Sequence, residues 1–416
     1  MSLKKKSWLA IIATAIATFN SGALFFGYPG VMTAYWGRIF NADSSQTGFI
    51  MTFACLGVGV LMLVSGSIHA RIGTRKCLLI GMIILIADMI LANFASSIWH
   101  AYLWAFLCGA GNGFVYGPCV STSQQWMPLK RGLAAGVVNL TFGTAGAIMS
   151  LAYNAMLNSE TIGYTKMNWI IIAMIVVLNG FSLLFAEIPS HAKLTPEQQA
   201  ELDNQKKLAA LGKNQSLASH SYTVKEALKS RYFWFMWLAW CFMGAAGISM
   251  VSLAKSYESF LLGGAATTAI VLTAFNLTNG LGRIVAGTLS DIIGRNLTGF
   301  LVLLLGGIGY FLLPLFNSIV VAAILAAFVG FAFGTLFTIT APLVSDLFGL
   351  AHYSMIFSLV FTAYGFLSGV LGPAMTGKIL GMGEGNQYGI VFRILGVFCV
   401  IGALCLFLAK RKNKAD

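Results

Sequence analysis

Asn276, Asn279 and Arg283 stand at i, i+3 and i+7 within one apolar stretch, a spacing that puts two amides and a guanidinium on the same face of an α-helix. Arg283 falls inside the eighth apolar span, near residues 265–289, where an arginine costs at least ~2.5–3.5 kcal/mol on insertion scales. Something must compensate that cost. A guanidinium keeps its charge and offers a planar fork of donors matched to a carboxylate. Its partner is therefore an anionic substrate or an acid of the protein itself, and the sequence offers no strong local candidate for the second. Asn279, one turn earlier, can orient Arg283, bond a substrate hydroxyl or pack between helices.

Other residues inside or at the ends of apolar stretches could also carry chemistry. Asn112 and Tyr116, also one turn apart, make a second polar face in the fourth span. Asp88, in the third, reads as a protonated or interhelically bonded acid. Lys255 and Glu258, near the end of the seventh, read as a wetted gate or surface pair. No histidine lies clearly mid-span, so a histidine relay is unsupported. An HExxH, a Ser/Lys dyad or paired aspartates in facing spans would mark an intramembrane enzyme, and none is present. The seven cysteines lie within or at the edges of apolar spans without CxxC spacing. They read as packing residues, and neither a metal site nor a cofactor is expected.

The elements that carry these residues follow from composition. Of 416 residues 58% are hydrophobic and only 9% charged, against about a quarter charged in soluble domains, so lipid is the expected solvent. The apolar runs are roughly 20 residues long, the length of a membrane-crossing helix and about twice that of a barrel strand. Twelve spans are expected near 8–29, 46–68, 77–96, 99–121, 131–154, 167–187, 231–253, 265–289, 297–316, 318–342, 352–376 and 387–409. The basic start followed by an apolar run has no small-residue cleavage site and reads as the first span. A polar segment, 188–230, separates residues 1–187 from 231–416 and reads as a cytoplasmic linker with one short helix around Pro196–Leu211.

The net charge of +13 is a topology signal and not a nucleic-acid footprint. If the chain starts in the cytoplasm, twenty Lys and Arg fall on that side. Only Arg38, Lys166, Lys255, Lys378 and Arg393 fall on the other. Both termini are then cytoplasmic, in a cell inner or plasma membrane.

The halves repeat. Gly66 to Gly73 (GSIHARIG) aligns with Gly287 to Gly294 (GTLSDIIG), and Gly109 to Gly113 with Gly330 to Gly334, both at an offset of 221. Duplicated helical units commonly hold a transporter's substrate between them. Glycine permits the tight reversal between two spans, while Arg71, Arg75, Lys76 and Arg295 anchor the loops.

These two loops resemble the G-x-L-x-D-R-x-G-R-K signature of the major facilitator superfamily. The second copy keeps the acid as Asp291, with Gly287, Gly294 and Arg295; the first has Ala70 in its place but keeps Gly66, Arg71 and Gly73. Within that superfamily, Gly109-Ala110-Gly111-Asn112-Gly113-Phe114-Val115-Tyr116-Gly117, Trp126-Met127-Pro128 and Asn279-Gly280-Leu281-Gly282-Arg283 are similar to the oxalate–formate antiporter and monocarboxylate transporter branch. The resemblance implies an all-α fold of two pseudosymmetric six-helix bundles that alternate access to a central site, and since nothing in the sequence requires more than one copy, a monomer is expected. It implies a small carboxylate bound by Arg283 with Asn279, Asn276, Asn112 and Tyr116, and walled by Phe337, Phe333 and Tyr364. Antiporters of this branch carry a lysine in the eleventh helix where Phe361 stands here, and the repeat mate of Arg283 is Met62. One central cation favours a monocarboxylate such as lactate, pyruvate or formate over a dianion such as oxalate. Coupling is expected as proton symport, with carboxylate exchange of the oxalate–formate type or a non-transporting carboxylate sensor as alternatives.

Overall fold

The computed structural model describes residues 2–211, 221–264, 268–349, 352–382 and 387–410. Side chains of Ala70, Arg131, Gly132, Ala209–Leu211, Asp291 and Ser354 also lie outside the described residues. Spanning helices are numbered 1 to 12 in chain order. The first six are Leu3–Ile39, Ser44–His69, Arg71–Asn93, Ile98–Trp126, Arg131–Leu157 and Gly163–Phe185. The second six are Arg231–Leu262, Ile270–Ile293, Arg295–Leu315, Ile319–Phe348, Met355–Gly381 and Tyr388–Leu408. No strand occurs among the described residues. A helix satisfies its backbone N–H and C=O groups within itself, which is the condition hydrocarbon imposes.

Among the described residues, ten of the twelve are long and apolar enough to cross a bilayer. The two that fall short are helices 4 and 8, which carry Asn112 and Tyr116 and the Asn276, Asn279, Arg283 stripe. Helix 8 resolves this conflict by facing: Leu277, Leu281, Ile284 and Val285 are exposed, while Asn276, Asn279 and Arg283 are fully buried. Burial sorts the other helices too. Helices 1 and 7 bury 78% of their most apolar stretch, against 28% in helix 6 and 39% in helix 3, so the former are central and the latter face lipid.

Glycine sets how closely the halves meet. Gly73 (φ +79°) and Gly294 (φ +90°) turn the chain between helices 2 and 3 and between 8 and 9. That left-handed backbone is open to glycine at no steric cost, and the two stand at the repeat offset. The same offset relates two interhalf crossings. A Cβ on Gly365 of helix 11 would overlap the Gly59 Cα of helix 2, and one on Gly280 of helix 8 would stand 2.8 Å from the Thr144 N of helix 5. On the linker side of each half, Arg75 pairs with Glu187 at 3.0 Å and Arg295 with Asp346 at 2.7 Å. Arg71 is exposed.

Several expected boundaries are corrected. Helix 1 runs to Ile39 instead of ending near Pro29, because a π-helical stretch, Ala23–Gly27, precedes the proline and alters the hydrogen-bond ladder there. Helices 7 and 10 extend to Leu262 and Phe348, well past 253 and 342. Helix 8 begins at Ile270; residues 265–267 lie outside the described residues. The linker holds the expected helix, Pro196–Leu211, and a second, Val224–Lys229, which Thr223 and Glu226 close with a capping box. That T-x-x-E spacing was readable in the sequence.

Gly365→Val forces branched bulk into the crossing with Gly59. Overpacking typically costs about 1–3 kcal/mol, so the purified variant should melt several degrees below wild type in detergent, whereas Gly264→Val, facing open space, should not.

Candidate functional site

Arg283 lies on helix 8 with no exposed surface. Its Nε and Nη2 donate to the Asn279 Oδ1 at 3.3 and 3.2 Å, and its Nη1 to the Asn139 Oδ1 of helix 5 at 3.4 Å. All three bonds are long for a charged donor. The guanidinium carbon stands 4.2 Å from the Phe337 ring centroid and 5.1 Å from that of Phe142, within the range of a cation–π contact. No carboxylate among the described residues is within ion-pair distance of it. The charge is thus held by two amide oxygens and two rings, all neutral.

Asn139 is the residue that sequence spacing misses. Its Oδ1 also accepts the Tyr116 hydroxyl at 2.7 Å, so one amide of the first half joins a tyrosine of its own half to the arginine of the other. The only signal in the sequence was a lone amide in the apolar run Val137–Leu140. Phe142, three residues on, is one helical turn away on the same face.

Tyr116, Phe142, Phe337, Phe361 and Tyr364 wall a central cavity of about 10 Å³ that Asn112 also touches. It admits no more than a water. Arg283, Asn279 and Asn276 are not among the residues lining it, whereas Phe142 and Phe337, the two rings in contact with the guanidinium, are. Phe333 supports the wall from outside it, 5.1 Å from Phe337 and 6.2 Å from Tyr364 between ring centroids. Two of the three π-helical stretches deliver wall residues: Phe25 and Phe26 come from Ala23–Gly27, and Tyr364 from Ala363–Ser368, whereas Val370–Ala374 delivers none.

The site holds hydrogen-bonding groups without partners. Neither amide atom of Asn276 is bonded, nor is the Asn279 Nδ2, and the Tyr364 hydroxyl has only the Cys55 thiol beside it. Buried amides left so are rare and costly. Asn112, by contrast, is occupied: it accepts from the Ser21 hydroxyl at 2.5 Å and donates to the Ser21 and Cys108 carbonyls.

Of the motif residues, Gly66 lines a small cavity beside His69 and Ser121 on the linker side; the Asp291 side chain lies outside the described residues. Asp88 is fully buried with both carboxylate oxygens unbonded, and is not among the residues lining the central cavity. The reading of Lys255 and Glu258 as a wetted pair is corrected. Both are buried and they form no salt bridge: Lys255 donates to Asn154, while Glu258 accepts from the Thr268 hydroxyl and the Val271 N–H. The long helix 7 carries them inside instead of to its rim.

The Major Facilitator Superfamily family model matches residues 11–373 and 262–416. The chain belongs to this superfamily. It is a multi-pass membrane protein and a secondary transporter, not an enzyme. It is 23% identical over 368 residues to the uncharacterized MFS-type transporter YhjX of Escherichia coli (strain K12), covering 87% of this chain and 86% of that one. It is 27% identical over 290 residues to the oxalate:formate antiporter of Oxalobacter formigenes, covering 68% and 63%. A shorter match, 22% over 156 residues and 36% of each chain, is to monocarboxylate transporter 13 of Rattus norvegicus.

Asn139→Leu removes the acceptor of both the Tyr116 hydroxyl and the Arg283 Nη1. Stranding buried donors costs about 1–3 kcal/mol, more when one is charged, so chemical unfolding in detergent should show a loss of that size. Asn139→Asp should retain the fold.

Proposed function

We propose that this transporter carries a small monocarboxylate of the lactate, pyruvate or formate type, with a proton, as a monomer in the cell inner or plasma membrane with both termini cytoplasmic. The observation that carries the reading is Arg283: a permanent charge, fully buried, with only neutral partners. A carboxylate arriving between the halves gives the guanidinium the partner it lacks. Asn279 keeps the fork oriented. Asn276, Tyr364 and Tyr116 supply bonds to a substrate hydroxyl or second carboxylate oxygen, while Phe337, Phe333 and Asn112 shape the wall.

Charge count selects the class. Helix 11 presents Phe361 and Tyr364 to the cavity, and helix 2 presents Met62. Neither adds a cation. A dianion would keep one charge unpaired in a low-dielectric centre, where the desolvation cost of an ion is several kcal/mol.

The closed cavity supports an alternating cycle in which the halves 1–187 and 231–416, joined by the linker 188–230, part on one side at a time. Phe142 and Phe337 must swing off the guanidinium for substrate to reach it. Gly66, Gly73, Gly287 and Gly294 with Arg71, Asp291 and Arg295 make the loops that move with each half. Among the described residues the buried acids available for the coupling proton are Asp88 and Glu258. Exchange of carboxylates is the second reading, favoured by the match to the oxalate:formate antiporter.

Uptake of labelled lactate into proteoliposomes tests the arginine. Arg283→Gln should lower transport by about 10²-fold or more, the scale on which stranding a charged partner costs 2–5 kcal/mol. Arg283→Lys should recover little, since a lysine lacks the fork. Wild-type rates in both would remove Arg283 from the mechanism.

A further inference from the structure

A third cavity, about 330 Å³, opens between the halves on the face remote from the Leu3 and Leu408 ends of the chain. Helices 1 and 2 of the first half and 7, 11 and 12 of the second line it. Two of its lining residues are cationic, Arg38 and Lys255, and none is acidic. Among the described residues the nearby acids are engaged elsewhere: Asp43 caps helix 2 through the Gln46 N–H, and Glu258 is held at the start of helix 8, within electrostatic reach of Lys255 but not in a salt bridge with it; Glu384 lies outside the described residues. The hydroxyls of Thr33, Thr47, Ser252, Ser256 and Thr376 donate back into their own helices, which leaves Arg38 and Lys255 as the charged donors lining the space, beside the hydroxyls of Ser44 and Tyr388.

Their states differ. Arg38 is exposed at the mouth, and Lys255 is 9% exposed with its Nζ 2.5 Å from the Asn154 Oδ1. That bond ties helix 7 of the second half to helix 5 of the first. The ammonium has no ion-pair partner among the described residues, so a neutral amide holds a buried charge and an anion would hold it better. The vestibule also leads inward. Gly30, on its floor, is one turn of helix 1 from Phe26 of the central wall, and the Leu272 side chain packed on Gly30 is one turn of helix 8 from Asn276.

We propose that this vestibule is a second anion site, in which a small carboxylate docks between Arg38 and Lys255, takes the place of Asn154 on the lysine, and frees helix 7 from helix 5. It rests on the reading that the cargo is a carboxylate. Docking concentrates substrate at the mouth and unlocks the contact above Leu272 in the same event, so the passage toward Arg283 opens when an anion is there to use it. The exposed Arg38 at the mouth also makes capture sensitive to ionic strength.

Equilibrium binding of labelled lactate to the detergent-purified full chain separates the two sites. In Arg283→Gln, where the central site is disabled, a weak site should persist and lose about threefold in affinity from low to physiological salt. Adding Arg38→Gln should weaken it about tenfold further, as should Lys255→Gln, while Lys255→Arg should retain it. Arg38 is exposed, so its variant tests the site even if Lys255→Gln does not fold. Absence of residual binding in Arg283→Gln, or residual binding indifferent to Arg38, overturns the vestibule and leaves the central reading standing. Undiminished binding in Arg283→Gln that disappears with Arg38→Gln supports the vestibule and overturns the central reading instead.

Discussion

A positive charge that cannot be neutralised by losing a proton is enclosed at the centre of this protein, and every contact it makes is with a neutral group. Amide oxygens and aromatic faces each offset part of the desolvation, but a cation–π contact contributes about 2 kcal/mol or somewhat more when desolvated, less than burial of an ion costs. The surrounding architecture can be understood as what keeps that charge tolerable while no ligand is present. Asn279 on the same helix and Asn139 across the interface converge on it, two rings cover it, and the halves close until the cavity holds no more than a water.

Closure to that degree depends on glycine. The crossings of helix 2 with helix 11 and of helix 8 with helix 5 are repeat mates, and at each of them the backbones approach closer than any Cβ would allow. Arg283 stands three residues, about one turn, past its crossing at Gly280. Met62 stands at the same place past Gly59. The two halves therefore present the same scaffold with different chemistry at the equivalent position, a guanidinium in one and a thioether in the other. This asymmetry, on a symmetric frame, is what gives the proposed site a single charge.

Much of the fold was legible in the sequence because the signals are local. Span length, basic loops and the offset of 221 identify twelve helices in two halves, and the spacing of Asn276, Asn279 and Arg283 gives their shared face. What was hidden depends on contacts between helices, which spacing along one chain does not encode. Asn139 and Phe142 reach Arg283 from the other half. Lys255 looked like a rim residue because helix 7 was read nine residues too short, and it bonds Asn154 instead of its near neighbour Glu258. The first span was read as ending near 29 because the π-helical turn before Pro29, through which the helix continues to Ile39, leaves no mark in hydropathy.

The central claim is that one enclosed cation awaits one negative charge. Thermal unfolding of the detergent-purified chain with lactate, formate and oxalate, in wild type and Arg283→Gln, tests it most directly, since a ligand that binds only the folded state raises its stability. The account predicts that the monocarboxylates raise the melting temperature of the wild type more than oxalate does, and that Arg283→Gln loses most of that rise. Stronger stabilisation by oxalate than by either monocarboxylate, or an equal rise in the variant, would contradict it.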